Sequence, residues 1–394
     1  MTLPNKTDII VIGAGVMGAS IAFNLAKSSD KRVLVLDQHG PLGGMSGRTF
    51  GQVRMHYSNA LTLEMAHFGM KYVANWEAEV GVGASGYVPM GYLLIVVENQ
   101  LAPCERNIEL ASSLGIETRM VTPAEIAEIE PAINASGLSG GAWDPAGGYI
   151  DINRMTLGWL EAARGAGDVS LAKARVTGLE TTNGAITGVV TDQRAIAAEQ
   201  VIVAAGPWSR DLLTPLGLDA PLEARRLETM YLSLPPGAPN VRTCVTDGQS
   251  NIVIRPDMGA TVLAAAYPPQ MDLVDDPLDP PPEGAADAHH ARCEAAFAER
   301  FPGLQGAKPI RTVSGSYDIT PDWHPILGPA PNIEGLHLAF GFSGHGLKLS
   351  PAVGQVIAET ALGKPPLFDI RPLRYERFAD DDQMFLAYGP GGRA

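Results

Sequence analysis

The sequence predicts an α/β fold in two domains, one of them built on a parallel Rossmann-type sheet. Three observations predict it. Asp8–Asp37 reads as strand, glycine turn, helix and strand. The chain has 394 residues, beyond the roughly 250–300 that one hydrophobic core supports. Later segments carry the alternating apolar pattern of strands rather than the helical period.

In DIIVIGAGVMGASIAFNLAKSSDKRVLVLD, the β-branched runs Asp8–Ile12 and Val33–Leu36 flank Gly13, Gly15 and Gly18 in G-x-G-x-x-G spacing. Gly13 permits the tight turn, Gly15 lets the backbone approach a pyrophosphate, and Gly18 lets helix and strand pack closely. The helix start offers unpaired N–H groups to phosphate. Asp37 ends the second strand, where a carboxylate binds both ribose hydroxyls and disfavours a 2′-phosphate. The stretch therefore points to FAD or NAD and does not separate them.

The formal charge of −14 argues against nucleic acid as a partner, because phosphates are repelled, while leaving room for a local basic pocket. Cys104, Cys244 and Cys293 are odd in number and widely spaced, which gives neither a disulfide framework nor a metal motif. Lys6 and the apolar run from Ile9 superficially resemble a signal peptide, but Asp8 and the glycines break the pattern. No uncharged run reaches the ~18 residues of a membrane span. The expectation is a soluble, cytoplasmic enzyme.

Along the chain, GPLGGMSGRTFGQVRMHYSN is too long for a linker and carries Arg48 and Arg54, so it is expected to run along the cofactor. A helix is predicted over Leu61–Glu79, a strand over Tyr92–Val97 and an amphipathic helix over Asn99–Leu114 with Leu101, Ile108, Ala111 and Leu114 inward. Thr122-Pro123-Ala124-Glu125 starts another with a capping box, and Asn153–Ala163 is a further helix. Asn183-Gly184 marks a hairpin within Val169–Val203. QVIVAAGPWS is a buried strand breaking at Gly206-Pro207. Strands are predicted at Met230–Leu234, Ile252–Arg255 and Thr261–Ala266. Asp272, Asp275, Asp276 and Asp279 lack the spacing of a calcium loop and read as solvated. His289 and His290 are adjacent on a helix and cannot form an i, i+4 metal pair. Leu336–Phe340 is a strand, and Ser350 with Pro351 reads as a capped helix start before a stop at Gly363.

GAGVMGAS, SGRTFGQVR, VIVAAGPWS, YDITPDWHPILGP, GFSGHGLKLSPAVG and the final RPLRYERF together resemble the FAD-dependent amine and amino-acid oxidoreductases of the D-amino-acid oxidase superfamily. The likeness is greatest to the sarcosine oxidase and glycine oxidase branch, and it favours FAD over NAD. It implies a discontinuous FAD-binding domain over 1–80, 151–219 and 311–394. It also implies a substrate domain with a mostly antiparallel sheet over 81–150 and 220–310.

On that resemblance, Gly13, Gly15, Val16, Met17 and Gly18 hold the pyrophosphate, and Asp37 with Gln38 holds the adenosine end. Ser46, Arg48, Gln52, Val53 and Arg54 line the cofactor, with Arg54 near the flavin. Val176 is an adenine-side contact; Ala205, Gly206 and Trp208 form a second cofactor stretch. Gly344, His345, Gly346, Leu347 and Lys348 fall at the flavin's pyrimidine end and the substrate pocket. Lys348 is the expected carboxylate grip, Tyr317 and Tyr57 hydroxyl partners, and Arg255 a substitute for the arginine that accompanies the lysine. The Ser350-capped helix start is expected to stabilise charge on the reduced flavin.

The resemblance further implies hydride removal from the α C–H of a secondary or D-configured amino acid, to oxygen or another electron acceptor. An alternative role is the FAD-carrying subunit of a larger complex; a homo-oligomer is also open. Gly315 stands where covalent relatives place a cysteine, so FAD is expected to be non-covalent. Ile252–Ala266 contains no lysine to activate oxygen, which leaves oxidase and dehydrogenase both open.

Overall fold

The computed structural model describes residues 3–278, 281, 283–384, 387 and 388; Asp279 lies outside them. Its central sheet has six strands in the order Ile326–Pro329, Leu336–Phe340, Gln200–Val203, Ile9–Ile12, Val33–Asp37, Val169–Lys173. All neighbours run parallel except Ile326–Pro329. The four inner strands are buried on both faces, which explains their continuous apolar runs. Ile9, Val11, Val33 and Val35 face helices Val16–Ser28, Ile152–Ala166 and Gly346–Ala361. Ile10, Ile12, Leu34 and Leu36 face the apolar side of a three-stranded sheet, Val176–Thr182, Ala185–Thr191 and Ala195–Ala197. Its hairpin turns at Asn183 and Gly184, both with positive φ (53° and 79°), as a two-residue turn of the primed type requires.

An eight-stranded sheet follows the order Lys308–Ile319, Glu223–Ser233, Thr261–Ala266, Ile252–Pro256, Cys244–Asp247, Tyr92–Ile95, Gly141–Asp144, Arg119–Val121. It is antiparallel except where Tyr92–Ile95 meets Cys244–Asp247. Helix Ala285–Arg300 seals one face through Cys293, Ala296 and Phe297. Strand Lys308–Ile319 begins in one predicted segment and ends in the other. A small sheet, Gln52–Val53, Gly148–Ile150 and Tyr87–Pro89, joins the glycine-rich loop to the rest.

Helices Val16–Ser28 and Gly346–Ala361 lie in close contact. A Cβ on Gly354 would fall 2.0 Å from Ser20 Oγ, and the Ser20 hydroxyl donates to Ser350 O at 2.8 Å. Helix Ala60–Ala74 meets the same helix at Gly69, where a Cβ would fall 2.0 Å from Lys348 O.

Several predicted elements shift. The helix expected over Leu61–Glu79 is two, Ala60–Ala74 and Trp76–Glu79, the first capped by Asn59. The Leu101–Ser113 helix buries Cys104, Asn107 and Ala111, because the first two pack on buried His56. The Thr122 capping box forms. The largest correction concerns Ser350 and Pro351. The helix starts at Gly346, with His345 as N-cap, and Pro351 lies inside it. Proline cannot pair with the carbonyl four residues back; the Ser350 hydroxyl donates to that carbonyl, Leu347 O, at 2.7 Å. Ser350 thus repairs the helix rather than starting it.

Asp272, Asp275 and Asp276 are exposed, and no cluster of metal-ligating side chains occurs among the described residues. No helix of the described residues is long and apolar enough to cross a membrane.

Candidate active site

A long cleft opens where the central strands end and two helices begin. Gly13, Gly15, Val16 and Met17 form its floor. Gly13 has φ +110°, and a Cβ there would lie 2.3 Å from Ala204 O. Gly18 sits behind the turn, where a Cβ would meet Gly13 O at 1.8 Å, so its absence of a side chain serves packing. Neither helix that begins here carries an acid in its first turn. Both therefore present a positive dipole end that no side-chain acid offsets.

Asp37 and Gln38 line one end. The Asp37 carboxylate accepts from the backbone N–H of Ala14, His39 and Gly40, each at 2.8 Å, so it fixes the glycine turn as well as facing the cleft. Ser46 accepts from Val16 N–H at 3.0 Å. Arg48 donates to Gly43 O and Gly44 O at 2.7 and 2.8 Å, holding the loop against the cleft. Val176, Ala205, Gly206 and Trp208 form the opposite wall, and Gly315, Gly344, Gly346 and Leu347 the far end. Glycine turns, acid-free helix starts and a fixed carboxylate suit a dinucleotide along its whole length. Replacing Asp37 with Ala removes three charge-assisted hydrogen bonds. We expect FAD retention to fall by about tenfold or more with the fold intact, measured as flavin per chain after extensive dilution.

A second chamber of about 80 Å³ adjoins the far end, sharing Thr49, Phe50, Tyr317 and Gly344 with the cleft. Arg54, Tyr57, His345 and Lys348 line it. Both cations are buried, at 8% and 5% exposure. The Arg54 guanidinium donates to His56 O and stacks 5.0 Å from the Tyr57 ring; Lys348 Nζ lies 5.9 Å from the same ring. Neither has an ion-pair partner among the described residues. Burial, and then the Arg54 charge, hold the Lys348 pKa well below its usual value.

The polar groups around these cations are poised rather than satisfied. Tyr57 Oη, Gln52 Nε2 and His345 Nδ1 are buried without a partner among the described residues. Burial raises the Tyr57 pKa. His345 Nε2–H donates to Trp323 O at 2.6 Å, leaving Nδ1 as the acceptor of a neutral ring. Burial keeps that ring neutral, and protonation is further opposed by coupling to His324 and by the neighbouring Lys348 and Arg54. Unsatisfied buried groups of this kind mark a place a ligand completes.

Two predicted residues lie elsewhere. Arg255 is tied to Phe50 O at 3.0 Å and Asp257 at 3.3 Å, stacked 4.2 Å over Tyr149, and lines neither chamber. Arg54 supplies the second cation instead. Val53 is fully buried in its short strand.

Asp318 and Trp323 lie in YDITPDWHPILGP, one of the stretches that carry the resemblance, but the stretch gave neither residue a role. The Asp318 carboxylate accepts from Gly341 N–H at 2.7 Å and shapes the turn before Gly346. Burial pushes it up to about 6 against the backbone N–H groups around it. Trp323 lies in the left-handed region at φ 59°. Only the long-range pairing of Lys308–Ile319 with the rest of its sheet brings this loop to the site. None of Cys104, Cys244 and Cys293, all buried, lines the cleft.

Known proteins share this plan. The chain is 29% identical to human peroxisomal sarcosine oxidase over 385 residues, covering 94% of this chain and 96% of that one. It is 25% identical to a 4-methylaminobutanoate oxidase (formaldehyde-forming) of Paenarthrobacter nicotinovorans, covering 96% of this chain but 46% of the longer protein. Among solved structures, L-proline dehydrogenase from P. horikoshii superposes with a TM-score of 0.86 at 23% identity, covering 97% of this chain and 100% of that one. Glycine oxidase from Geobacillus kaustophilus gives 0.82 at 23%, covering 95% and 99%. Residues 8–360 match the family described as DAO, FAD dependent oxidoreductase; the chain belongs to that family.

Proposed function

We propose that the chain removes a hydride from the α-carbon of a secondary or D-configured α-amino acid, giving an imine that water hydrolyses to a carbonyl compound and an amine. One observation carries the reading: two buried cations, Arg54 and Lys348, share a small chamber with no ion-paired carboxylate among the described residues. A substrate carboxylate supplies the missing charge, since unpaired buried charges are costly. FAD, when bound, supplies the hydride acceptor.

The chain's own residues position the substrate. Arg54 and Lys348 hold the carboxylate, and their charge favours a neutral amine over an ammonium beside it. His345 Nδ1 and Tyr57 Oη are available to the amine, and Tyr317, on the shared wall, closes the chamber toward the cleft. The start of helix Gly346–Ala361 presents its positive end to the far end of the cleft, where it favours negative charge. On this reading segments 1–80, 151–219 and 311–394 bind FAD and also supply the side chains that grip the substrate, while 81–150 and 220–310 cover the chamber through Tyr92, Thr246, Val253 and Tyr267.

Anaerobic mixing tests the reading. N-methyl, cyclic or D-amino acids bleach the flavin within seconds, and readmitted air separates oxygen from another acceptor by the rate of colour return. Absence of bleaching by every member, unless a partner protein is added, moves the chain to the subunit role. Because Gly315 replaces a side chain that could bond the flavin and no cysteine lines the cleft, acid precipitation is expected to leave all yellow colour in the supernatant. Colour retained in the pellet contradicts non-covalent binding.

A further inference from the structure

The inner chamber is not the end of the substrate path. Four of its lining residues, Thr246, Val253, Tyr267 and Trp323, also line an outer chamber of about 850 Å³. The inner volume accommodates an amino-acid headgroup and little more, since one water-sized probe position needs ~10–15 Å³. The outer chamber is roughly ten times larger and lies on the side away from the cofactor cleft, with which it shares no lining residue.

The outer chamber offers a ligand no unpaired charge despite the charged residues around it. Arg210 pairs with Asp219 at 3.1 Å, and Arg225 with Glu223 at 2.7 Å. Asp247 is bound by buried Arg300 at 2.7 Å. Each charge on its walls is thus answered within the protein, in contrast to Arg54 and Lys348. What remains facing a ligand is uncharged: aromatic and aliphatic surface from Leu222, Tyr267, Pro268, Ile319 and Trp323, beside the neutral polar side chains of Gln100, Asn251 and Gln270.

Trp323 stands where the chambers meet, and its backbone is held there against its own preference. A bulky residue with φ 59° is rare and strained. Its N–H donates to Thr320 O at 3.0 Å, and its carbonyl accepts from His345 at 2.6 Å. The next carbonyl, His324 O, accepts from Thr320 at 2.7 Å and Arg377 at 2.8 Å. These bonds fix the backbone of Trp323 at the junction rather than letting it relax. Strain persisting beside a site is the kind a function retains.

We propose that Trp323 is a specificity-determining residue, and that the substrate's carboxylate-distal group is large and apolar and extends past it into the outer chamber. The proposal rests on the carboxylate grip argued above. It specifies the substrate class: amino acids whose N- or α-substituent is an arylmethyl or comparable apolar group, in preference to methyl.

The test uses the holoenzyme and anaerobic flavin reduction with two matched pairs, D-alanine against D-phenylalanine and N-methylglycine against N-benzylglycine. In at least one pair the benzyl member is expected to exceed the methyl member in specificity constant by about tenfold or more. Trp323→Asn keeps a residue that tolerates the left-handed backbone and removes the ring; with flavin content equal to wild type, the benzyl-to-methyl ratio is expected to fall below about threefold. Trp323→Phe retains most of the preference. If methyl members are reduced as well as or better than benzyl members by the wild-type protein, the proposal is overturned while the carboxylate reading stands, and this comparison needs no variant to fold. If none of the four bleaches the flavin, this proposal falls, and bleaching by the cyclic amino acids of the wider panel decides separately whether the carboxylate reading stands. An unchanged ratio in a flavin-replete Trp323→Asn variant removes Trp323 from the role.

Discussion

Lys348→Met is expected to raise KM for carboxylated substrates by about 10- to 150-fold, the worth of one charge-assisted hydrogen bond in a buried site. Flavin content should not change, because Lys348 lines the inner chamber and not the cofactor cleft. Steady-state kinetics on purified holoenzyme read the effect, and an unchanged KM removes Lys348 from the carboxylate grip. The same residue sets a pH dependence. Its folded-state pKa is depressed by burial and by Arg54, so the cation is lost as pH rises through a value below that of a free lysine. The specificity constant of the wild-type enzyme should therefore decline on the alkaline side. His345 and His324, neutral through burial, and Tyr57, raised by it, do not account for that limb. Lys348→Arg should abolish the limb, because a guanidinium stays protonated throughout.

Arg377→Met is expected to cost about 3–5 kcal/mol of stability, as a buried ion pair does when one partner is removed. Arg377 and Asp322 are 0% and 1% exposed and joined by two bonds of 2.8 and 3.0 Å. Arg377 also donates to Leu373 O, Arg374 O and His324 O. Burial alone pushes the Asp322 carboxyl up, but Arg377 outweighs it and holds the group below its ordinary value. A carboxylate lowered in the folded state stabilises above its unfolded pKa, and that contribution disappears as pH falls through the folded value. In the variant the unpaired carboxylate is the burden, and protonation relieves it, so the stability gap to wild type should narrow in acid. Denaturant titrations at neutral and acid pH check both points. A cost below about 1 kcal/mol would show that the loop holding Trp323 and His324 does not depend on the pair.

How much of this was legible beforehand follows from how local each signal is. The glycine spacing, the Asp37 position and the Asn183-Gly184 hairpin depend on a few consecutive residues, and each forms as the pattern dictates. Ser350-Pro351 shows the limit of such rules. Serine before proline is a sound helix start in isolation, yet here the helix has already begun at Gly346, and the serine hydroxyl compensates for the proline. Arg54 and Arg255 show another limit. Both are arginines in apolar company, and only sheet pairing decides that one faces the chamber while the other is held by Phe50 O and Asp257. Asp318 and Trp323 belong to a stretch that signals the family, but their individual contacts were not legible because they are made with a turn and a helix N-cap that lie later in the chain.

The embrace of helices Val16–Ser28 and Gly346–Ala361 has a consequence for how the protein is made. The hydroxyl of Ser20 waits for a carbonyl 330 positions downstream, and the strand beside Gln200–Val203 comes from Leu336–Phe340. During synthesis the glycine turn leaves the ribosome long before its opposing wall exists. The nascent chain must therefore remain unsealed until Leu336–Ala361 has been translated, and flavin capture follows the folding of that segment rather than the emergence of the glycine turn.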